Sequence, residues 1–197
     1  MILAYHTIFT TYGFWLPNDP RGSWSDFVRS WELLRFGKAT KVSTRRSLAA
    51  QPHQASRRRA AKQALQYLPV QFTGRQALSV AHGFRRAMDE SGYVLHACSI
   101  LPEHVHMVIA RHSRKVEMIV GHFKGRASQE LATDGLHPLV DHQNPDGSHP
   151  SPWARRCWRV YLNDDSGVQR AIRYVEQNPI REGKPPQKWS FVVPYDV

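Results

Sequence analysis

The sequence predicts an α+β fold built on one antiparallel sheet, and three observations predict it. Short alternating stretches rich in β-branched and aromatic residues, such as YVLHACSIL and CWRVYLN, have the period of strands. Longer stretches repeat apolar residues every three or four positions, the period of helices. Their order along the chain is strand, helix, strand, strand, helix, strand, helix. The first six make βαββαβ, the ferredoxin-like pattern, and an additional C-terminal helix follows.

The first strand is expected within Ile2 to Trp15, where Ile, Thr, Phe and Tyr alternate, before Pro17, Asn18, Asp19, Pro20 and Gly22 make a turn. The first long helix opens on Thr73 and Gln76, a capping-box pair. It carries Ala77, Val80, Ala81, Phe84 and Met88 on one face, and Gly92 stops it. YVLHACSIL is the second strand, Pro102 the turn, and HVHMVIAR the third. Ser113 is the expected cap of a helix whose apolar face is Val116, Ile119, Val120, Phe123, Ala127 and Leu131, ending near Gly135. A loop rich in Pro, His and Asp covers Leu136 to Pro152, and CWRVYLN is the fourth strand. Asn163, Asp164 and Asp165 offer N-caps for the last helix, which is expected to stop at Asn178 because Pro179 follows. We read residues 1–197 as one domain with a basic insertion at about 18–72, whose interior, Arg57 to Tyr67, has the look of a short helix.

Charge narrows the partners. The formal net charge is +11, from 27 Lys and Arg against 16 Asp and Glu, which favours a polyanion. No apolar run approaches a membrane span, and MILAYHTIFTTYGFW has no basic start or small-residue cleavage site of the kind a signal peptide carries. Two cysteines, Cys98 and Cys157, make neither a disulfide framework nor a Cys-x-x-Cys pair, so a cytoplasmic, nucleoid-associated location is expected. From Leu33 to Met88 there is no acidic residue, while Arg45, Arg46, Arg57, Arg58, Arg59 and Lys62 all fall there. A surface for a nucleic-acid backbone is the expectation, against the plainer alternative of a solvated basic arm. Trp24, Trp31, Phe36, Tyr67 and Phe72 lie in and around it, suited either to stacking on bases or to packing as core.

Chemistry enters with PEHVHMVIAR. His104 and His106 are two apart on a strand and so share a face, while Val105, Met107 and Ile109 share the other. Two neutral imidazoles side by side can hold a divalent cation, though chance alone yields roughly 0.6 such pairs at this composition. The last helix, DDSGVQRAIRYVEQNP, sets Val168, Ala171, Ile172 and Val175 on an apolar face and Arg170, Tyr174 and Asn178 on another. A phenol and an amide one turn apart suit metal-assisted phosphoryl transfer, in which a cation assists an otherwise weak nucleophile. A packing tyrosine and a capping Asn are the bland alternatives.

Taken in order, LPEHVHMVI and RAIRYVEQNPIREG, with CWRVYLND and KWSFV around them, resemble the HUH single-strand DNA transposases with one catalytic tyrosine, specifically the REP-associated tyrosine transposase group. The resemblance covers about Thr73 to Phe191, and Met1 to Thr10 loosely. It implies that Tyr174 attacks a DNA phosphodiester and keeps the 5′-phosphate, releasing a 3′-hydroxyl. It implies that His104 and His106 hold Mg²⁺ or Mn²⁺, and that Asn178 is the third ligand. Imidazoles usually favour softer ions than Mg²⁺, which makes Mn²⁺ the more comfortable occupant. Single-stranded or hairpin DNA is the implied partner, with Arg170 and the basic insertion as further contacts. A tyrosine acting within its own subunit and one reaching a partner's histidines in a homodimer are both compatible with the group.

Two other functions compete. A catalytically idle nucleic-acid-binding domain would keep the fold and the basic arm but has no chemical need of His104, His106, Tyr174 and Asn178 together. A two-histidine phosphoesterase needs two His-x-Thr/Ser motifs on paired strands, and only His149-Pro150-Ser151 has that form, in a turn-rich loop.

Overall fold

The computed structural model describes residues 1–42, 44, 48 and 51–196, which form two compact units. Met1–Thr11 and Gln71–Val197 make one, and Tyr12–Val70 the other. In chain order the elements are β1 (Ala4–Thr10), α1 (Trp31–Leu34), α2 (Ala55–Gln63), α3 (Gly74–Ser91), β2 (Leu95–Ile100), β3 (His104–Ala110), α4 (Val116–Thr133), β4 (Trp158–Leu162) and α5 (Asp165–Arg181).

The first unit is the expected α+β sheet. Its strands run β2-β3-β1-β4 with every neighbour antiparallel, so the two inner strands are β1 and β3. Strand alternation sorts the side chains onto two faces. Phe9, Val105, Met107 and Ile109 point to one face, where Phe84 of α3 meets Phe9 edge-on and Phe123 of α4 in turn meets Phe84. The two helices approach closely because α3 has a glycine at the crossing: a Cβ on Gly83 would stand 2.5 Å from Ala127 Cα. Ala4, Ala97 and Val108 point to the opposite face and pack against Val168, Ala171 and Val175 of α5. The protein therefore buries both faces of the sheet, one under two helices and the other under one.

Local signals explain most boundaries. Thr73 accepts from Gln76 N–H while the Gln76 side chain accepts from Thr73 N–H, and Gly92 closes α3 at φ 67°. Asp164 caps α5 through Gly167 N–H at 2.8 Å. Three expectations need correction. β1 ends at Thr10 rather than Trp15, because its partner β3 begins at His104; beyond it Thr11 makes a single bridge to Trp153 and bonds the Glu103 carbonyl. The N-cap of α4 is Lys115, not Ser113, and no side chain bonds there; the helix opens where Val116 and Ile119 first turn into the core. Finally, α5 passes through Pro179 to Arg181. A proline removes one N–H bond, and the next turn is held by Glu182 N–H on the Asn178 carbonyl (3.2 Å) and Lys184 N–H on the Pro179 carbonyl (2.8 Å).

The outer edge of β2 is covered by the C-terminal segment. The Gln187 side chain donates to the Ile100 carbonyl and accepts from its N–H, and Val193 N–H donates to the Leu95 carbonyl. This uses up an edge that would otherwise invite pairing with another chain.

The second unit has a small core of Leu16, Leu33 and Ala61, with Val28, Phe36 and Leu65 packed on it. Its helix α2 starts at Ala55 and ends at Gln63, slightly earlier than the sequence suggests. Asp19 is fully buried and paired with Arg21 at 2.8 Å and Arg58 at 3.3 Å. Burial pushes its carboxyl up, but the Arg21 hydrogen bonds and the charges of Arg21 and Arg58 outweigh that and hold it low.

Candidate active site on the face shared by β1, β3 and α5

Register decides which residues meet. Opposite partners in an antiparallel ladder point the same way, so Thr10 with His104, Ile8 with His106 and His6 with Val108 share the α5 face. Toward its N-terminal half α5 covers that face with the apolar cluster described above. Toward its C-terminal end it presents Tyr174, Asn178 and Glu182, each one turn after the last.

These residues converge on the two histidines of β3. Asn178 Nδ2 lies 3.4 Å from His104 Nε2, and Glu182 Oε1 lies 3.3 Å from the same nitrogen. A half-turn of the Asn178 amide presents its oxygen instead. The Tyr174 ring is 5.6 Å from the ring of His106 and 5.7 Å from that of His6. Tyr174 remains 37 % exposed, and the Arg181 guanidinium sits 5.3 Å above its ring. His106 is buried, and its Nδ1 stands 3.4 Å from His6 Nε2. Trp158, from β4, meets His6 edge-on at 5.5 Å.

Burial controls the charge of the three imidazoles. It lowers His6 and His104 to about 4, and drives His106 well below its ordinary value, with His104 and His6 adding repulsion. All three are neutral at pH 7, the form that offers a lone pair to a cation. Donor spacing also fits an ion. Ligands at right angles on a cation with bonds of about 2.1 Å stand roughly 3 Å apart, close to the Asn178 and Glu182 separations from His104. Asn178 and Glu182 both stand about one ligand spacing from His104 Nε2, an arrangement in which they can share a divalent metal with it, and His106 lies beside His104 with ring centroids 5.0 Å apart.

His6 and Glu182 are the two site residues that the sequence did not disclose. His6 lies 100 positions from His106, and only the pairing of β1 with β3 brings it in. Glu182 follows a proline expected to end the helix. Its spacing, eight after Tyr174 and four after Asn178, is the signal that finds it once α5 is known to continue.

The other expected site residues lie elsewhere. Arg170 is on α5 one turn before Tyr174, largely exposed and donating to Ser166 Oγ at 2.8 Å. In the second unit Arg57 donates to the Phe36 carbonyl (2.6 Å), Arg58 pairs with Asp19, Arg59 is exposed, and Lys62 lies 5.4 Å from the Phe14 ring. Arg45 and Arg46 lie outside the described residues. Of the aromatic residues, Phe72 is buried against Trp153, whereas Trp24 and Trp31 are exposed. His96 and His112, near the site in sequence, are engaged locally: His96 Nδ1 with the Val193 carbonyl, His112 Nδ1 accepting from Arg114 N–H. His82 of α3, Glu130 of α4 and Asp134 just beyond α4 form a separate group able to hold a cation, with donor atoms within 4.8 Å of one another.

No protein-family model matches the chain. No curated protein matches it either. Solved structures do. One is a REP-associated tyrosine transposase bound to a REP hairpin: 12 % identity, TM-score 0.48, covering 92 % of this chain and 68 % of that one. Another is a candidate transposase of Deinococcus radiodurans: 13 % identity, TM-score 0.43, covering 93 % of this chain and 92 % of that one. The first bears the name of the group that the sequence motifs resemble; the second is named only as a transposase. At this degree of likeness the functional argument rests on the chain's own residues. Among the described residues, no helix is long and apolar enough to cross a membrane.

Proposed function

We propose that the protein is a metal-dependent single-strand DNA endonuclease and strand transferase that works through Tyr174. The observation that carries this reading is the meeting of a partly exposed tyrosine with a neutral His-x-His pair and a helix-borne amide on one sheet face. A core tyrosine would be buried, and a structural histidine pair has no use for a nucleophile beside it.

His104, His106 and Asn178 would hold Mg²⁺ or Mn²⁺. When bound, the ion supplies Lewis-acid polarisation of a phosphate oxygen. Tyr174 Oη attacks the phosphorus, the bond from phosphorus to the 3′-oxygen breaks, and the DNA 5′-phosphate remains on the tyrosine. The phenol gives up one proton and the departing 3′-oxygen takes one, so the step is balanced. Because a diester replaces a diester, a second 3′-hydroxyl can reverse the reaction without an external energy source. His6 keeps His106 in one tautomer, and the burial of the imidazoles keeps them unprotonated. Single-stranded or hairpin DNA is the proposed substrate, with the basic residues of the second unit and Arg170 contacting its backbone.

The test is a denaturing gel of labelled hairpin DNA incubated with protein and Mn²⁺. A covalent adduct formed by the native chain and absent with Tyr174→Phe supports the reading. Cleavage that survives Tyr174→Phe, or product free of protein, overturns it in favour of a water-using phosphoesterase.

A further inference from the structure

We infer that Glu182 is a direct ligand of the cation, so that the site is two imidazoles, an amide oxygen and a carboxylate; this rests on the metal site proposed above. The decisive feature is which nitrogen Glu182 meets. A residue that merely orients a ligating histidine bonds the ring nitrogen facing away from the metal. His6 does this to His106, at Nδ1. Glu182 instead approaches His104 at Nε2, the nitrogen that also faces Asn178. Two side chains from the C-terminal end of α5 therefore stand about one ligand spacing from the same nitrogen of β3, and Glu182 is one of them.

The backbone supports this. By running through Pro179, α5 brings Glu182 round to the face of Tyr174 and Asn178, and its N–H closes on the Asn178 carbonyl. At 40 % exposure the Glu182 side chain forms the solvent rim of the site, while Asn178 lies buried behind it. A carboxylate at the rim also answers the chemical difficulty of a site made mostly of imidazole. Hard ions such as Mg²⁺ and Mn²⁺ prefer charged oxygen, so Glu182 shifts the site from zinc-like toward magnesium-like ions. Glu103, although next to His104 in sequence, is occupied with the Gln71 amide at 2.6 Å.

The experiment is Mn²⁺ binding to the full chain, read from the resonance of free Mn²⁺, with Mg²⁺ and Zn²⁺ as competitors. It is run in an Asp134→Asn background so that an ion at His82 and Glu130 is not counted. Glu182→Gln is expected to weaken Mn²⁺ at least tenfold and to raise the preference for Zn²⁺ over Mg²⁺. Glu182→Asp keeps the charge but withdraws it by one methylene, and is expected to lose most of the affinity as well. Wild-type affinity in Glu182→Asp with loss in Glu182→Gln shows a field effect and overturns direct ligation. Wild-type affinity in both overturns it outright. His104→Ala and His106→Ala report on the underlying site: if neither alters Mn²⁺ binding, the metal site itself is wrong, whereas loss in both with Glu182 silent rejects the carboxylate alone.

Discussion

His6 Nε2 and His106 Nδ1 face each other at 3.4 Å across the β1–β3 ladder, the two rings stacked 28° from parallel. One of these nitrogens must carry the hydrogen. With both rings neutral, donation from His106 Nδ1 leaves its Nε2 with a lone pair, the tautomer a metal ligand needs.

His6→Phe keeps the ring volume but removes the acceptor. It is expected to weaken Mn²⁺ binding by about 10- to 100-fold, the usual effect of losing a ligand's orienting partner. His6→Gln, which restores an acceptor, is expected to recover part of it. Calorimetric titration of each variant measures this, and equal affinity in His6→Phe and wild type rules out the orienting role.

Acid should destabilise the metal-free protein in a defined window. His6 and His104 titrate near 4 in the fold against an ordinary value of 6.5. Between those values the unfolded chain binds protons that the folded chain refuses, so stability falls as pH drops through 6.5 and the loss levels off below 4. Above 6.5 the contribution is fully present. Each histidine accounts for about 2 kcal/mol of loss at pH 5 and on the order of 3 kcal/mol at pH 4. Urea unfolding in EDTA across pH 4 to 7.5 tests this, and His6→Phe should visibly flatten the dependence.

The two arginines Arg58 and Arg59, adjacent in sequence, should part company on substitution. Arg59→Ala is expected to lower hairpin affinity and reduce its salt dependence by about one phosphate contact, leaving the melting temperature alone. Arg58→Ala strips a partner from buried Asp19 and is expected to cost about 1–2 kcal/mol of stability; Arg21→Ala, which removes the closer partner, costs roughly 3–5 kcal/mol. Thermal melts and fluorescence anisotropy at two salt concentrations separate these outcomes.

Gly83→Ala should be among the most damaging small changes in the first unit. The added methyl meets Ala127 backbone atoms at 2.5–2.6 Å, so α3 and α4 must move apart. A loss of about 3 kcal/mol is expected from overpacking that only a helix shift can relieve. Chemical denaturation gives the number, and a change under 0.5 kcal/mol would contradict the tight crossing.

What the sequence by itself determined follows from local period and local chemistry. Two-residue alternation placed His104 and His106 on one face and Val105, Met107 and Ile109 on the other. Helical spacing placed Tyr174 beside Asn178, and capping residues marked the start of α3 and α5. Each of those signals lies within a few residues and needs no knowledge of the rest of the chain. Tertiary structure alone decided three matters. It brought His6 to His106, because strand register is set by pairing between segments 100 residues apart. It carried α5 past Pro179 to Arg181, with Glu182 as its cap, because the turn after the proline still closes through Glu182 N–H on the Asn178 carbonyl. It also took Arg58 out of an apparently uniform basic run, because a buried carboxylate at Asp19 stands where Arg58 can reach it. A sequence shows which residues are capable of a contact; the partner, and therefore the role, is settled by long-range packing.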